Sequence, residues 1–123
     1  MLKKRIIPIQ LLSNHRLVKT KKFTNPQDVG DPIMSSKVYS DQDADELILL
    51  HIDRVENSIG VLVSKVEQIA KECFVPFSVG GGIKTVDDAR KLLSAGADKV
   101  ILNSIALKEP NIITAISSLS GTQ

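Results

Sequence analysis

The sequence predicts an α/β fold in which parallel strands alternate with helices that cover the sheet. Short apolar runs, typical of buried strands, occur at residues 5–12, 46–52, 76–79 and 99–103. Segments with helical apolar spacing or helix-capping residues lie between and after them, which gives the order βαβαβαβα. A third observation is an internal repeat: ADELILL at 44–50 aligns with ADKVILN at 97–103, 53 residues later. The repeat suggests a duplicated βαβα unit.

The first strand, RIIPIQLL at 5–12, is apolar on both faces, and Pro8 argues mildly against a central position in the sheet. A basic stretch from 13 to 30 follows, for which we predict a long loop. Loops of this length in compact domains are usually functional or mobile.

The helix boundaries follow from capping residues. Asp31 and Pro32 predict the start of a helix that runs to about residue 41, as N-cap and first helical residue. The second helix covers 58–73. Thr85 and Asp88 predict a capping box for the third, which ends at Gly96. The last predicted helix runs from Pro110 to Gly121.

Composition narrows the function classes. The 123 residues, 42% hydrophobic, predict one domain over 1–123, and a net charge of +2 is too small to indicate nucleic-acid or membrane binding. No apolar run approaches a membrane span. The single Cys73 excludes an internal disulfide and indicates a reducing, cytoplasmic location. His15 and His51 lack metal-ligand spacing, so we expect no metal or cofactor and structural or surface roles for both.

Three glycines, Gly80–Gly82, follow the third strand directly. They could simply form a tight turn, or their bare backbone could let an anion approach the N–H groups beside a helix N-terminus. Asn103 and Ser104 end the next strand at the same rim, and this pairing favours phosphate binding.

Charged residues begin three of the four predicted strands: Arg5, Glu46 and Lys99. Strand alternation places each charged residue on the same face as apolar residues of its own strand. They could therefore form a polar ring at the floor of a barrel, or they could point outward and merely flank the strands. Lys19 lies near the opposite rim, where its position alone favours a solvated side chain.

Several motifs together resemble the cyclase subunit of imidazole glycerol phosphate synthase, within the histidine-biosynthesis family of (β/α)8 barrels. They are RIIP at 5–8, RLVK at 16–19, GDP at 30–32, ADEL at 44–47, VGGGI at 79–83 and GADKV with Asn-Ser at 96–104. Since a whole barrel needs about 250 residues, the resemblance implies a (β/α)4 half of a TIM barrel.

The resemblance also implies roles for individual residues. It implies binding of a phosphorylated substrate and delivery of ammonia by a glutaminase partner docked at the barrel floor. The implied positions are a phosphate site at Gly81, Gly82, Asn103 and Ser104, an ammonia gate at Arg5, Glu46 and Lys99, a partner-facing Asp98, and a mobile-loop Lys19 that contributes to cyclase activity.

Two positions depart from the family pattern. The family's catalytic aspartate at the end of strand one corresponds to Leu11, and its usual aspartate near the end of strand two corresponds to His51. Leucine cannot exchange a proton, so we expect this lyase-family chain to lack standard cyclase activity on its own. The alternatives are a non-catalytic phosphate-binding and glutaminase-docking module, or ammonia-dependent sugar amidation in surface-polysaccharide (lipopolysaccharide) biosynthesis.

Strands one and four of a half-barrel would be open sheet edges, and the inner sheet face would be apolar and uncovered. Open edges and large apolar patches favour pairing with another chain. We therefore expect a homo-oligomer.

Overall fold

The computed structural model describes residues 3–22, 24–53 and 58–120, and within them six strands form one sheet in the order β3-β2-β1-β4-β5-β6. Four of these strands are parallel: β1 (Ile9–Ser13), β4 (Leu47–His51), β5 (Phe77–Gly80) and β6 (Lys99–Ile101). The other two, β2 (Arg16–Lys21) and β3 (Thr24–Gly30), are antiparallel.

Helices cover one face of the sheet. They are α1 (Pro32–Asp41), α2 (Ser58–Glu72), α3 (Val86–Ala95), the short α4 (Ser104–Lys108) and α5 (Asn111–Ser120). Neighbours α1 and α2, α2 and α3, and α3 and α5 pack side by side. The core between the layers is aliphatic except for Phe77, and its largest fully buried hydrophobic side chains are Leu12, Leu47, Leu49, Leu62, Val66, Ile69, Val79 and Leu92.

The predicted helix caps are confirmed. The Asp31 carboxylate accepts the N–H of Met34 at the start of α1. In α3, the Thr85 hydroxyl and the Asp88 carboxylate form a reciprocal capping box, and Gly96 ends the helix with a φ of 126°. These local signals are decisive because the first N–H groups of a helix lack partners within it.

The predicted loop over 13–30 is wrong, since β2 and β3 form a hairpin there. Asn14, at a φ of 58°, allows the tight turn between β1 and β2, a conformation that asparagine tolerates better than most residues. Leu17, only 6% exposed, anchors the hairpin to the core. As a result β1 does not form an edge over 11–13, and the expectation of an open edge there is also wrong.

The fourth predicted strand, 99–103, is shorter than expected. Strand β6 ends at Ile101, and Ser104 begins α4. The predicted end of the last helix at Gly121 lies outside the described residues.

The register confirms which side chains share the uncovered face. Ile9 pairs with Ile48, Ile48 with Ser78, and Ser78 with Lys99 across four parallel strands. Because paired residues in a sheet point to the same side, these positions form the inner face, opposite the helices. Ile9 is accordingly 60% exposed.

Candidate functional site

The carboxyl ends of the four parallel strands meet along one rim. Leu50 pairs with Gly80 and Gly80 with Ile101, so the turn after β5 lies beside the segment that leads from β6 into α4. This rim brings Gly81 and Gly82 to the strand end next to Asn103 and Ser104. In parallel α/β sheets, ligands bind at this edge.

The glycine turn is shaped by close backbone packing. Gly81 has a φ of 102°, and a Cβ placed there would lie 2.0 Å from the carbonyl oxygen of His51. Gly82 has a φ of 77°, and its Cβ would lie 2.7 Å from the hydroxyl of Ser58. The turn therefore requires glycine for the fold itself, while Gly82 remains exposed at the rim.

Gly81→Ala should destabilise the protein strongly. A left-handed backbone and overlap with the His51 carbonyl together predict a loss of about 2–4 kcal/mol in the free energy of unfolding. Gly60→Ala is the matched control, because Gly60 lies inside α2 with open space around it. That change should raise stability by about 0.5–1 kcal/mol. Urea unfolding measures both, and equal effects would contradict the packing described for Gly81.

The second half of the rim is the start of α4. Asn103 is its N-cap residue, but the Asn103 side chain makes no capping hydrogen bond. Both Asn103 and Ser104 are exposed. The first N–H groups of α4 have no partner within the helix, and with the amide of Asn103 they form a set of donors beside the glycine turn.

Lys19 does not lie in a loop. It belongs to β2, pairs with Gln27 of β3 and is exposed. Lys19 therefore lies beyond β1, on the side of the sheet away from β4. Two strands, β1 and β4, lie between Lys19 on β2 and the glycine turn after β5.

At the opposite rim, three charged side chains converge, so the outward-pointing alternative is wrong. Arg5 donates a hydrogen bond to Oε1 of Glu46, and Nζ of Lys99 lies 3.4 Å from the same oxygen. Glu46 is largely buried, with 12% of its side chain exposed. The hydrogen bond from Arg5 is the main reason why the pKa of Glu46 is lowered, and it outweighs the opposing effect of burial.

Asp98 makes the same contacts as its counterpart in the internal repeat. Its carboxylate accepts the N–H of Phe77 at 2.8 Å, and its own N–H donates to the Phe77 carbonyl. Asp45, 53 residues earlier, bonds Ile6 in the same reciprocal way. The repeat seen in the sequence therefore has a structural basis: Asp98 fastens the start of β6 to β5, and Asp45 fastens the start of β4 to the segment that leads into β1. Asp98 is nevertheless exposed.

A cluster that sequence reasoning missed lies where β1 and β4 end. The hydroxyl of Ser13 donates to Oδ1 of Asp53 at 2.7 Å, and the N–H of Asn14 donates to Oδ2. Nε2 of the buried His51 lies 3.4 Å from the same Oδ2. The available signal was an acid two residues beyond a strand end. We refer to Ser13, His51 and Asp53 as the rim carboxylate cluster.

Partial burial would raise the pKa of Asp53, but other contacts outweigh it. The N–H of Asn14, the hydroxyl of Ser13 and the nearby His51 together lower the pKa below its ordinary value. The carboxylate is therefore ionised at neutral pH.

The position of the implied catalytic aspartate, Leu11, lies on the inner face. Leu11 pairs with Leu50 on β4 and with Val18 on β2. The paired inward-facing residues of β1 and β4 near the rim are thus both leucines, which exchange no protons.

Neither a metal centre nor a membrane span is evident in the described ranges. Within 3–22, 24–53 and 58–120, no group of three or more His, Cys, Asp or Glu side chains could hold a metal ion. No helix among the same residues is both long and apolar enough to cross a bilayer.

Comparison with known proteins agrees with the fold. A family described as "Histidine biosynthesis protein" matches residues 5–123. The chain is 49% identical over 123 residues to "Imidazole glycerol phosphate synthase subunit HisF" of Exiguobacterium sibiricum, covering 100% of this chain and 49% of that protein. Its identity to the proteins of the same name from Methanococcus maripaludis and Methanocaldococcus jannaschii is 46% and 44%, in each case over 100% of this chain and 45% of the relative.

The chain thus spans about half the length of the curated relatives it matches. Four parallel strands with helices on one face agree with one half of an eight-stranded barrel. The chain belongs to the histidine biosynthesis protein family, and it corresponds to the N-terminal (β/α)4 half of a HisF-type TIM barrel.

Proposed function

We propose that the chain is the half of a cyclase-type barrel that binds a phosphorylated substrate at its carboxyl rim and admits ammonia at its floor. The observation that carries the proposal is the adjacency of two donor-rich backbone segments, the Gly81-Gly82 turn and the start of α4. Bare backbone beside helical N–H groups suits a phosphate. Asn103 and Ser104 supply further donors.

Charge reversal at the rim tests this. Ser104→Asp places a carboxylate where the phosphate would lie, and like charges at close range should weaken binding of glucose 6-phosphate about tenfold or more. Ser118→Asp is the matched control, because Ser118 is an exposed serine on α5 and should leave the affinity unchanged. Titration calorimetry measures both. Equal affinity in the two variants would reduce the glycine turn to a purely structural element.

The floor supports the second part of the proposal. Arg5 and Lys99 share the carboxylate of Glu46, and this ion-paired layer lies at the end of the sheet away from the phosphate site. We propose that it acts as the gate through which ammonia passes toward the rim. Ammonia is small and neutral, so a rearrangement of exposed Arg5, which is 56% exposed at its side chain, would suffice to admit it.

A glutaminase is the proposed source of that ammonia. The relatives are named as subunits of a synthase, which supports an assembly with a second protein. The exposed Asp98 lies at the same end of the sheet as the gate, and we propose it as a docking residue. Lys19 is proposed to act from the hairpin at the rim.

One observation favours a second candidate, a non-catalytic module that binds a phosphate and docks the glutaminase. Leu11 and Leu50 leave the inner face near the rim without a proton-exchanging group on β1 and β4. Turnover of the family's ribulosyl aminoimidazole substrate with an ammonium salt distinguishes the two candidates. A catalytic half-barrel would consume the substrate, whereas the non-catalytic module would not.

A further inference from the structure

The rim carboxylate cluster has a geometry that the phosphate and ammonia sites do not explain. Asp53 follows β4 in sequence, yet its carboxylate is fixed to the end of β1 by Ser13 and Asn14. The pairing with β1 continues past the end of β4, because the N–H of Ile52 donates to the carbonyl of Leu12 at 3.0 Å. This continuation holds Asp53 beside Ser13.

The carboxylate retains capacity for a ligand. An ionised carboxylate offers about four acceptor positions, and Ser13 and Asn14 occupy two of them. The side chain of Asp53 is 25% exposed, so one side of it faces solvent.

His51 is an independent sign of an incomplete site. Its side chain is only 1% exposed. Neither of its ring nitrogens has a well-formed hydrogen bond to any described residue, and the 3.4 Å approach of Nε2 to Asp53 is long. Buried polar groups in proteins are nearly always satisfied. The imidazole is therefore directed at the carboxylate with bonding capacity unused, as expected where a further polar group enters.

The cluster also supplies a charged group, which the leucine pair of the inner face lacks. Ser13 alternates along β1 onto the same face as Leu11, so Asp53 brings a negative charge to the rim just beyond the leucine pair of β1 and β4. Strand β4 separates β1 from the β5–β6 phosphate site. At about 4.8 Å per strand step, the carboxylate and that site lie on the order of 10 Å apart. A hexose phosphate is of comparable length.

We infer that Asp53, held by Ser13 and Asn14 beside His51, binds a protonated or N–H-donating nitrogen at the rim while the phosphate of the ligand occupies the Gly82–Ser104 site. The nitrogen is either an amino group of the sugar phosphate or a free ammonium ion. The inference rests on the proposed function for its phosphate, and Asp53 itself contacts only the nitrogen.

Matched ligands test it on the 123-residue chain. Glucosamine 6-phosphate differs from glucose 6-phosphate by an amino group in place of one hydroxyl. If the nitrogen bound by Asp53 is the amino group of the sugar, glucosamine 6-phosphate should bind at least about tenfold more tightly than glucose 6-phosphate, as expected for a charge-assisted hydrogen bond. If free ammonium is the source, ammonium chloride should tighten glucose 6-phosphate binding relative to sodium chloride at equal ionic strength. Asp53→Asn should abolish whichever preference is seen and keep the affinity for glucose 6-phosphate in sodium chloride.

Asp45→Asn is the control variant. It removes the same charge at the other end of β4, where Asp45 accepts the N–H of Ile6, and should leave the preference intact. The NMR resonance of the wild-type Asp53 carboxyl provides a second measurement that needs no variant, and it should shift with ammonium or the amino sugar but not with sodium.

The outcomes are distinct. Equal binding of both sugars with no ammonium effect, or a preference that survives Asp53→Asn, overturns the inference and leaves the phosphate proposal standing. If neither sugar binds, the phosphate proposal fails, and the carboxyl resonance then decides: a shift with ammonium supports the nitrogen site, and a constant resonance overturns it.

Discussion

The chain should self-associate at micromolar concentration, and Ile48→Glu should make it a monomer. Ile48 lies in the middle of the inner face, in register with Ile9 on one side and Ser78 on the other. The helices cover only the opposite face, and Ile9 is 60% exposed. Monomers rarely expose contiguous apolar patches on this scale of several strands, so we expect a second copy to cover the inner face.

The two outermost helices, α1 and α5, also expose apolar side chains. Met34 and Val38 of α1 are 63% and 49% exposed, and Ile113 and Leu119 of α5 are 50% and 45% exposed. A barrel would cover these positions with neighbouring helices. Burying roughly 1,000 Å² of apolar surface gives a gross gain on the order of 25 kcal/mol, from which the costs of association and ordering are subtracted. A glutamate buried without a partner opposes that gain by several kcal/mol.

Sedimentation velocity at micromolar concentration measures the result. Phe74→Ser is the control, because Phe74 is 88% exposed and lies after α2 rather than on the inner face. It should leave the association unchanged. A wild-type chain that is a folded monomer under these conditions would contradict the prediction.

The route of association differs from the sequence-based expectation. Strand β1 was expected to offer an open edge, but the β2–β3 hairpin covers it over 11–13. The open edges of the described sheet are β3 and the three-residue β6. Strand β6 is short, and the pairing of β3 with β2 is interrupted by register shifts. Both features weaken pairing at an edge, so the inner face should dominate the association.

Local and periodic signals made much of the fold predictable. The caps at Asp31 and Thr85 fix helix starts because unpaired N–H groups need an acceptor within a few residues. Strand alternation predicted which residues share the inner face, since a strand has only two faces. Alternation left two alternatives for Arg5, Glu46 and Lys99, and the ion pairs of the folded chain decide for the inward one.

The features that were missed depend on contacts between distant residues. The hairpin is rich in lysine, and its anchor Leu17 becomes recognisable only once the core is known. Asp53 gains its place from hydrogen bonds to Ser13 and Asn14, 40 and 39 residues earlier in the chain. No local sequence pattern encodes hydrogen bonds between residues so far apart in the chain. An acidic residue just past a strand end indicates only that its carboxylate could bond to a neighbouring strand.

Leu11→Asp should raise cyclase activity by about 10²–10⁴-fold once the barrel is completed, the range that general acid–base catalysis typically contributes. Completion can be tested by co-expression with the C-terminal half of the HisF relative from Exiguobacterium sibiricum, which is 49% identical to this chain over the matched region. Turnover of the ribulosyl aminoimidazole substrate with an ammonium salt gives the rate. Leu11 is partly exposed on the inner face, so the new carboxylate would reach solvent and remain ionisable.

Leu50→Asp is the matched control for that measurement. Leu50 pairs with Leu11 across β1 and β4 and also lies on the inner face. Its replacement by aspartate therefore adds the same charge one strand away from the family's catalytic position. Only the change on β1 should raise the rate. If the unaltered chain turns over rapidly and Leu11→Asp adds nothing, a different group already transfers the proton. Asp53 and His51 are then the nearest titratable pair at the end of β4, and loss of that activity in Asp53→Asn would assign the transfer to the rim carboxylate cluster rather than to the end of strand β1.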